Sequence, residues 1–219
     1  MQFIKKIGSW IIPIIVGIVT VLLLRQYVVQ PVSVSGPSMY PNLENGEKVF
    51  CFKPLPIKRG SVIVFDALGV DPSVTQTKMY VKRVIGMPGD KVEFKDNAIY
   101  VNDKKINQSY ISDQQQSAGT DSKTIKSNNW TLMSLYNAAQ KLNLVSVSNA
   151  DGWSKRPVGN RVPKNTYFVL GDNREVSNDS RTIGFVPKDN IQGVVKVPFW
   201  AKNRERINYI NNQWKLEEN

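Results

Sequence analysis

Residues Ile7 to Leu24, IGSWIIPIIVGIVTVLLL, run for eighteen positions without a charged side chain. As a helix they extend roughly 27 Å, at about 1.5 Å per residue, close to the thickness of a bilayer core. Pro13 and Gly17 are tolerated in such a helix, and Trp10 suits an interfacial position. Lys5 and Lys6 precede the run, while Arg25 follows it. The positive-inside tendency therefore places the N-terminus in the cytoplasm and the residues after the run outside. A cleaved leader is the rival reading, because Ser33-Val34-Ser35 resembles a small-x-small cleavage site. The run exceeds the usual apolar length of a leader, so a retained single-pass anchor is the expectation. Residues 1–25 then form a cytoplasmic N-terminus and transmembrane anchor in the cell membrane, and 26–219 an extracytoplasmic domain.

That remainder is long enough for one good-sized core. EKVFCF, GSVIVFDA, KMYVKRVIG, TYFVLGD and IQGVVKVPFW read as short strands rich in β-branched and aromatic residues. KVEFKDNAIYVNDKKI reads as a hairpin with Asp96-Asn97 at its turn. The fold class is mainly β, built of short antiparallel strands. Residues 112–129 are polar, which predicts a loop or disorder. WTLMSLYNAAQKLNL follows, a short helix with Asn129 as its cap. Residues 112–165 are thus expected to form a polar and helical insertion in the β-body.

Several function classes drop out. The chain has no histidine and one cysteine, Cys51, so it has no intrachain disulfide and no Cys/His set for zinc or iron. Asp172, Glu175 and Asp179 fit no calcium-loop spacing, so neither a metal nor a cofactor is expected. The net charge of +11 is scattered, with no zinc finger, RNP motif or compact basic block. It points away from nucleic acid; most of these charges read as a solvated basic surface, and the balance also suits an anionic membrane surface or wall polymer.

GPSMYPNL places Ser38 between two prolines. A serine hydroxyl needs a base to become a nucleophile, and imidazole is not available. The base would be a lysine, a carboxylate or a tyrosine, since the amino terminus lies across the membrane. A lysine near its reference pKa of about 10.4 is almost wholly protonated at pH 7. Burial lowers that value by several units. In MYVKRVIGMPGD, alternation puts Tyr80, Lys82 and Val84 on one strand face and Met79, Val81, Arg83 and Ile85 on the other. Alternation alone does not separate Lys82 from a lysine that faces water.

SGPSMYPNL, YVKRVIGMPGD and GDNREVSNDSRTIGFVP, in this order behind an N-terminal anchor, resemble the three signature blocks of type I signal peptidases. Those are membrane-bound serine proteases that use a Ser-Lys dyad to remove signal peptides from exported preproteins. The resemblance implies a signal-peptidase-like β-fold, signal peptides as substrates, the lipid bilayer and the export machinery as surroundings, and no cofactor. It implies Ser38 as nucleophile, Lys82 as general base, and Ser177 as the hydroxyl that holds the lysine amine. The Ser38 N–H would form part of the oxyanion hole. Gly36 stands where many members have a second serine, so a donor there would be a backbone N–H. Asn42 stands where threonine is usual. Arg83, Asp172, Asp179 and Arg181 resemble salt-bridge positions, pairing Asp172 with Arg83 and Asp179 with Arg181. Val32, Val34, Met39, Leu43, Val49, Tyr80 and Val81 resemble shallow apolar pockets for small residues at −1 and −3, the Ala-x-Ala pattern. Each of them also reads as ordinary core. Phe199-Trp200 would dip the site into the outer leaflet. The alternative is a catalytically silent homologue that assembles surface structures, which would be expected to lack the serine or the lysine. A penicillin-binding enzyme is excluded, because the chain has no Ser-x-x-Lys and no Lys-Thr-Gly. The anchor and the missing helix-turn-helix argue against a self-cleaving repressor.

Overall fold

The computed structural model describes residues 2–118, 121–122, 125–126, 129–142, 152–198 and 204–211. Helix α1 (Gln2–Tyr27) passes through Val28 alone into strand β1 (Val29–Ser33). The Val28 N–H donates to the Leu24 carbonyl at 2.9 Å, and the Val28 carbonyl accepts from the Lys53 N–H at 3.0 Å. Lys53 Nζ also donates to the Gln26 carbonyl at 2.6 Å, so the helix end is fastened to the sheet. Every large apolar side chain of α1 from Ile11 to Leu24 is exposed. The side chains of Ile7 to Trp10, the start of the expected span, lie outside the described ones. Among the described residues, no helix is long and apolar enough to cross a membrane.

The body is mainly β, as its β-branched runs require. Its strands continue with β2 (Lys48–Phe52), β3 (Val62–Asp66), β4 (Met79–Gly86), β5 (Val92–Lys95), β6 (Ala98–Val101) and β7 (Lys104–Lys105). Helix α2 (Asp113–Ser117), the short pair β8 (Asp121–Ser122) and β9 (Ile125–Lys126), β10 (Trp130–Thr131) and α3 (Leu132–Lys141) follow. The chain returns through β11 (Thr166–Leu170), α4 (Ser180–Ile183), β12 (Val186–Pro187), β13 (Ile191–Lys196) and α5 (Arg204–Asn211). A seven-stranded antiparallel sheet runs in the order β1-β2-β13-β3-β4-β11-β12, and a second sheet in the order β10-β5-β6-β7. Asp96 and Asn97 turn the β5–β6 hairpin with φ of 50° and 57°, the left-handed values that a two-residue loop demands.

Both faces of the large sheet are covered, and that arrangement removes water from β4. Val62, Val64 and Val81 pack with Met39, Leu43, Val49 and Ile210 on one side. Ile63, Phe65 and Val84 pack with Tyr167, Val169 and Ile183 on the other. In the register of β3 against β4, Lys82 pairs with Ile63 and Tyr80 with Phe65.

The segment expected as a polar insertion is partly built into the core. Trp130 pairs with Phe94 in the second sheet, stacks on its ring at 5.9 Å and also meets Phe168. Leu132, Leu135 and Ala139 of α3 join the same cluster. The cap of α3 is Thr131, sharing a capping box with Ser134, rather than the expected Asn129. Residues 130–131 are still held extended by β5, so the helix cannot begin earlier. The polar stretch before it also contains helix α2, capped by Ser112. Phe199 and Trp200 lie outside the described residues. Trp130→Ala is expected to cost about 3–5 kcal/mol, the range for a large aromatic removed from a packed core. Urea unfolding of wild type and variant measures it.

Candidate active site

Ser38 lies in the loop after β1, and its neighbours fix the loop by burial. Met39 and Leu43 are fully buried, and the Leu43 N–H donates to the Met39 carbonyl at 2.9 Å. A turn closes from the Tyr40 N–H to the Pro37 carbonyl at 3.0 Å. From the segment after β11, the Asn173 N–H holds the Ser38 carbonyl at 3.1 Å, and Asn173 Nδ2 holds the Pro37 carbonyl at 3.3 Å. Ser38 itself stays half-buried.

Lys82 reaches this loop from β4. Its Nζ lies 2.8 Å from Ser38 Oγ and 3.0 Å from the Val81 carbonyl. It also sits 5.2 Å from the centre of the Tyr80 ring. Burial pulls the amine down from 10.5 to about 8; Asp179, Asp172 and Asp71 pull it back up, and Arg181 adds to the fall. Desolvation wins because no carboxylate hydrogen-bonds Nζ.

On the opposite face of β4, Arg83 meets Asp172 in a two-bond pair of 2.8 and 2.6 Å, both side chains wholly buried. Asn42 Nδ2 donates to the same carboxylate at 2.8 Å and to the Tyr110 carbonyl at 2.8 Å. The Arg83 guanidinium lies 4.0 Å over the Tyr110 ring and donates to the Gly60 and Tyr209 carbonyls. Asp179 caps α4, accepts from the Gly171 N–H at 3.0 Å and pairs with Arg181 through two bonds. Burial pushes the Asp179 carboxyl up, but the Arg181 charge and these hydrogen bonds together hold it below its usual value.

Two expected roles meet a different geometry. The Gly36 N–H donates to Asn45 Oδ1 at 2.9 Å, so it is not free to receive an oxyanion in this conformation. The turn at φ +85° aims that donor at Asn45. The Ser38 N–H, by contrast, has no partner among the described residues. Ser177 Oγ is buried without a hydrogen bond, and so it does not hold the Lys82 amine here. It lies against Gly171 and near Asp179 without hydrogen-bond geometry.

Of the expected pocket residues, Val34, Met39, Leu43 and Val49 are core, each at most 3% exposed, with Val81 beside them. Val32, paired with Val49 across β1 and β2, and Tyr80 remain partly accessible. Sequence reasoning did not find Tyr110, which lies in the plain polar stretch NQSYIS. Nor did it single out Asn173, although that residue lies within the third signature block, or Asp71, which carries no pattern that separates it from surface residues.

The family model described as signal peptidase, peptidase S26, matches residues 7–200. The chain belongs to the signal peptidase family. Signal peptidase IB of Staphylococcus aureus (strain COL) is 36% identical over 217 residues, covering 94% of this chain and 95% of the relative. Signal peptidase I of Bacillus licheniformis is 33% identical over 207 residues, with 92% and 93% covered. A solved signal peptidase I from Enterococcus faecalis V583 is 29% identical with a TM-score of 0.42, covering 64% of this chain and 97% of that one. This signal peptidase is accordingly a serine endopeptidase of the kind that removes signal peptides.

The close packing gives two expectations. A methyl group on Gly171 would overlap the Ser38 carbonyl oxygen and Ser177 Oγ. Gly171→Ala should therefore push the serine loop away and lower peptide cleavage at least about tenfold, with circular dichroism showing a retained fold. The second concerns Lys82, which folding brings from 10.5 to about 8. The unfolded chain binds the extra proton between those values, so this site's contribution to stability rises with pH across that window. Lys82→Met removes the cost of burying the ammonium. Its gain in Tm over wild type should be larger at pH 6 than at pH 10, as thermal scans at both values would show.

Proposed function

We propose that this signal peptidase cuts exported preproteins after Ala-x-Ala-like sites with Ser38 as nucleophile and Lys82 as general base. The observation that carries the reading is the 2.8 Å contact between Ser38 Oγ and a buried, carboxylate-free Lys82 Nζ. The neutral amine takes the Ser38 proton as Oγ attacks the scissile carbonyl carbon. The tetrahedral intermediate collapses, and the protonated Lys82 gives its proton to the departing amine, leaving an ester on Ser38. Lys82 then takes a proton from water, whose oxygen attacks the ester, and the ammonium returns that proton to Ser38 Oγ as the second intermediate collapses to the acid and free serine. The Ser38 N–H faces the oxyanion. Ser177 Oγ, an unpaired buried acceptor in the free enzyme, is the hydroxyl we assign to the ammonium once it forms. An orphan group of this kind calls for a partner at some step.

The same proposal includes the membrane. Among the described residues, the apolar side chains from Ile11 to Leu24 stand exposed, which suits lipid. Residues 1–25 then form the cytoplasmic N-terminus and the anchor, with the apolar run Ile7 to Leu24 in the bilayer, and residues 26–219 work outside near the export machinery. Val32 and Tyr80 offer the accessible apolar walls for small side chains at −1 and −3.

The test is cleavage of a peptide carrying an apolar stretch and Ala-x-Ala by the detergent-solubilised full chain, with products weighed by mass spectrometry. Wild type should cut after the second Ala, and Ser38→Ala and Lys82→Met should each lose at least about 10³-fold. Activity should fall as pH drops below about 8, because the amine then holds its proton. Intact peptide with correctly folded wild type, across a panel of exported precursors, would instead favour the silent assembly protein.

A further inference from the structure

The loop between β3 and β4 carries a buried carboxylate that the proposed mechanism does not use. Asp71 is 4% exposed. Its Oδ1 accepts from the Ser73 N–H at 2.9 Å and from Ser73 Oγ at 2.7 Å. Its Oδ2 accepts from Tyr80 Oη at 2.9 Å and from Asn178 Nδ2 at 2.7 Å. Four donors and no proton to give is the bonding pattern of an ionised carboxylate. Among the described residues, no cation pairs with it directly.

Two of those four bonds lead to the site. Tyr80 stands two residues before Lys82 on the same face of β4, and its ring lies under Lys82 Nζ at 5.2 Å. The ring is pinned from below by the edge contact with Phe65 at 5.8 Å and at its tip by Asp71. Asn178 follows Ser177, so the second bond ties the same carboxylate to the Ser177 loop. Asp71 thereby joins the wall of the lysine to the loop that carries Ser177.

We propose that Asp71 is a positioning residue for the general base: through Tyr80 and Asn178 it fixes the aromatic wall beneath the Lys82 amine and supplies part of the negative field there. The inference rests on the reading of Lys82 as the base. The groups that touch this amine or whose charge reaches it are few. Ser38 comes from the nucleophile loop, Asp172, Asp179 and Arg181 from the segment after β11, Asp71 from the β3–β4 loop, and Tyr80 from β4 itself. Arg83 points to the other face of the strand, and Lys78 Nζ lies 5.6 Å over the Tyr80 ring. Burial alone would make the amine a weak base. The three carboxylates oppose that, and Asp71 is the one of them that no arginine neutralises. A general base works best with its pKa close to the working pH, so this uncompensated charge has a chemical use.

The experiment is the pH dependence of kcat/KM for the solubilised full chain on the same peptide. Asp71→Asn keeps the shape and removes the charge. Its acid limb should move to lower pH by about half a unit, on the order expected for one charge across an aromatic ring. Tyr80→Phe keeps the charge and frees the ring, so kcat should fall several-fold while the limb stays in place. If Asp71→Asn does not fold, Asp71→Ala combined with Tyr80→Phe removes the carboxylate and its hydroxyl donor together, and it should show the same downward shift. A limb unmoved in both charge-removing variants overturns the proposal. So does a Tyr80→Phe limb that moves as far as theirs. A wild type without an acid limb, or activity surviving Lys82→Met, would instead sink the general-base reading, and this inference with it.

Discussion

Arg83 and Asp172 lie side by side wholly out of water, and four further segments of the chain lean on that pair. The nucleophile loop reaches it through Asn42, and the stretch before α2 reaches it through the ring and carbonyl of Tyr110. The turn before β3 and helix α5 supply carbonyls to the guanidinium from Gly60 and Tyr209. A buried ion pair in isolation returns little, because desolvating two charges costs about what their attraction gains. Here the remaining donors and acceptors are satisfied by other segments, so the pair works as a joint. Its worth lies in where it puts Lys82 and Ser38, which sit one residue from Arg83 and four from Asn42.

The face of β4 that holds Lys82 has the opposite character. Ile63, Phe65 and Val84 share that face with Lys82, the Tyr80 ring lies beneath the amine, and its hydrogen-bond contacts are a hydroxyl and a carbonyl oxygen. A fold optimised for stability alone would not bury an amine there without a carboxylate. The cost is carried by the aliphatic packing on both sides of the sheet. Two adjacent basic residues on one strand are thus driven to different states by which side of the sheet each one faces. Arg83 is held charged by Asp172, while Lys82 is brought toward neutrality.

Much of this was legible in the chain. The strands at 48–52, 62–66 and 79–86 declare themselves by β-branched runs, and the Asp96-Asn97 turn by residues that tolerate positive φ. Ser38 and Lys82 were singled out by the three signature blocks; the absence of histidine only left lysine, carboxylate and tyrosine open as bases. Other features depend on contacts between distant segments, which local pattern does not encode. Asn129 looked like a cap, yet pairing with β5 keeps the chain extended past it as far as Thr131. Gly36 looked like an open donor, but an asparagine nine residues on claims its N–H. Tyr110 and Asp71 sit in polar stretches, and only the folded chain places them beside Arg83 and Tyr80.

The junction between α1 and β1 has one residue, Val28, and its backbone is bonded in both directions. A glycine-rich tether of similar role would let a domain swing and sample a volume. This one behaves as a stalk. The nine peptide steps from Val29 to Ser38 can span no more than about 30 Å, and most of them are ordered by the sheet or the loop. The serine therefore stands at a set height from the end of the helix. Under the proposed function, such an enzyme chooses its bond partly as a ruler does, by where along an extended chain the cut falls, before any side chain is examined.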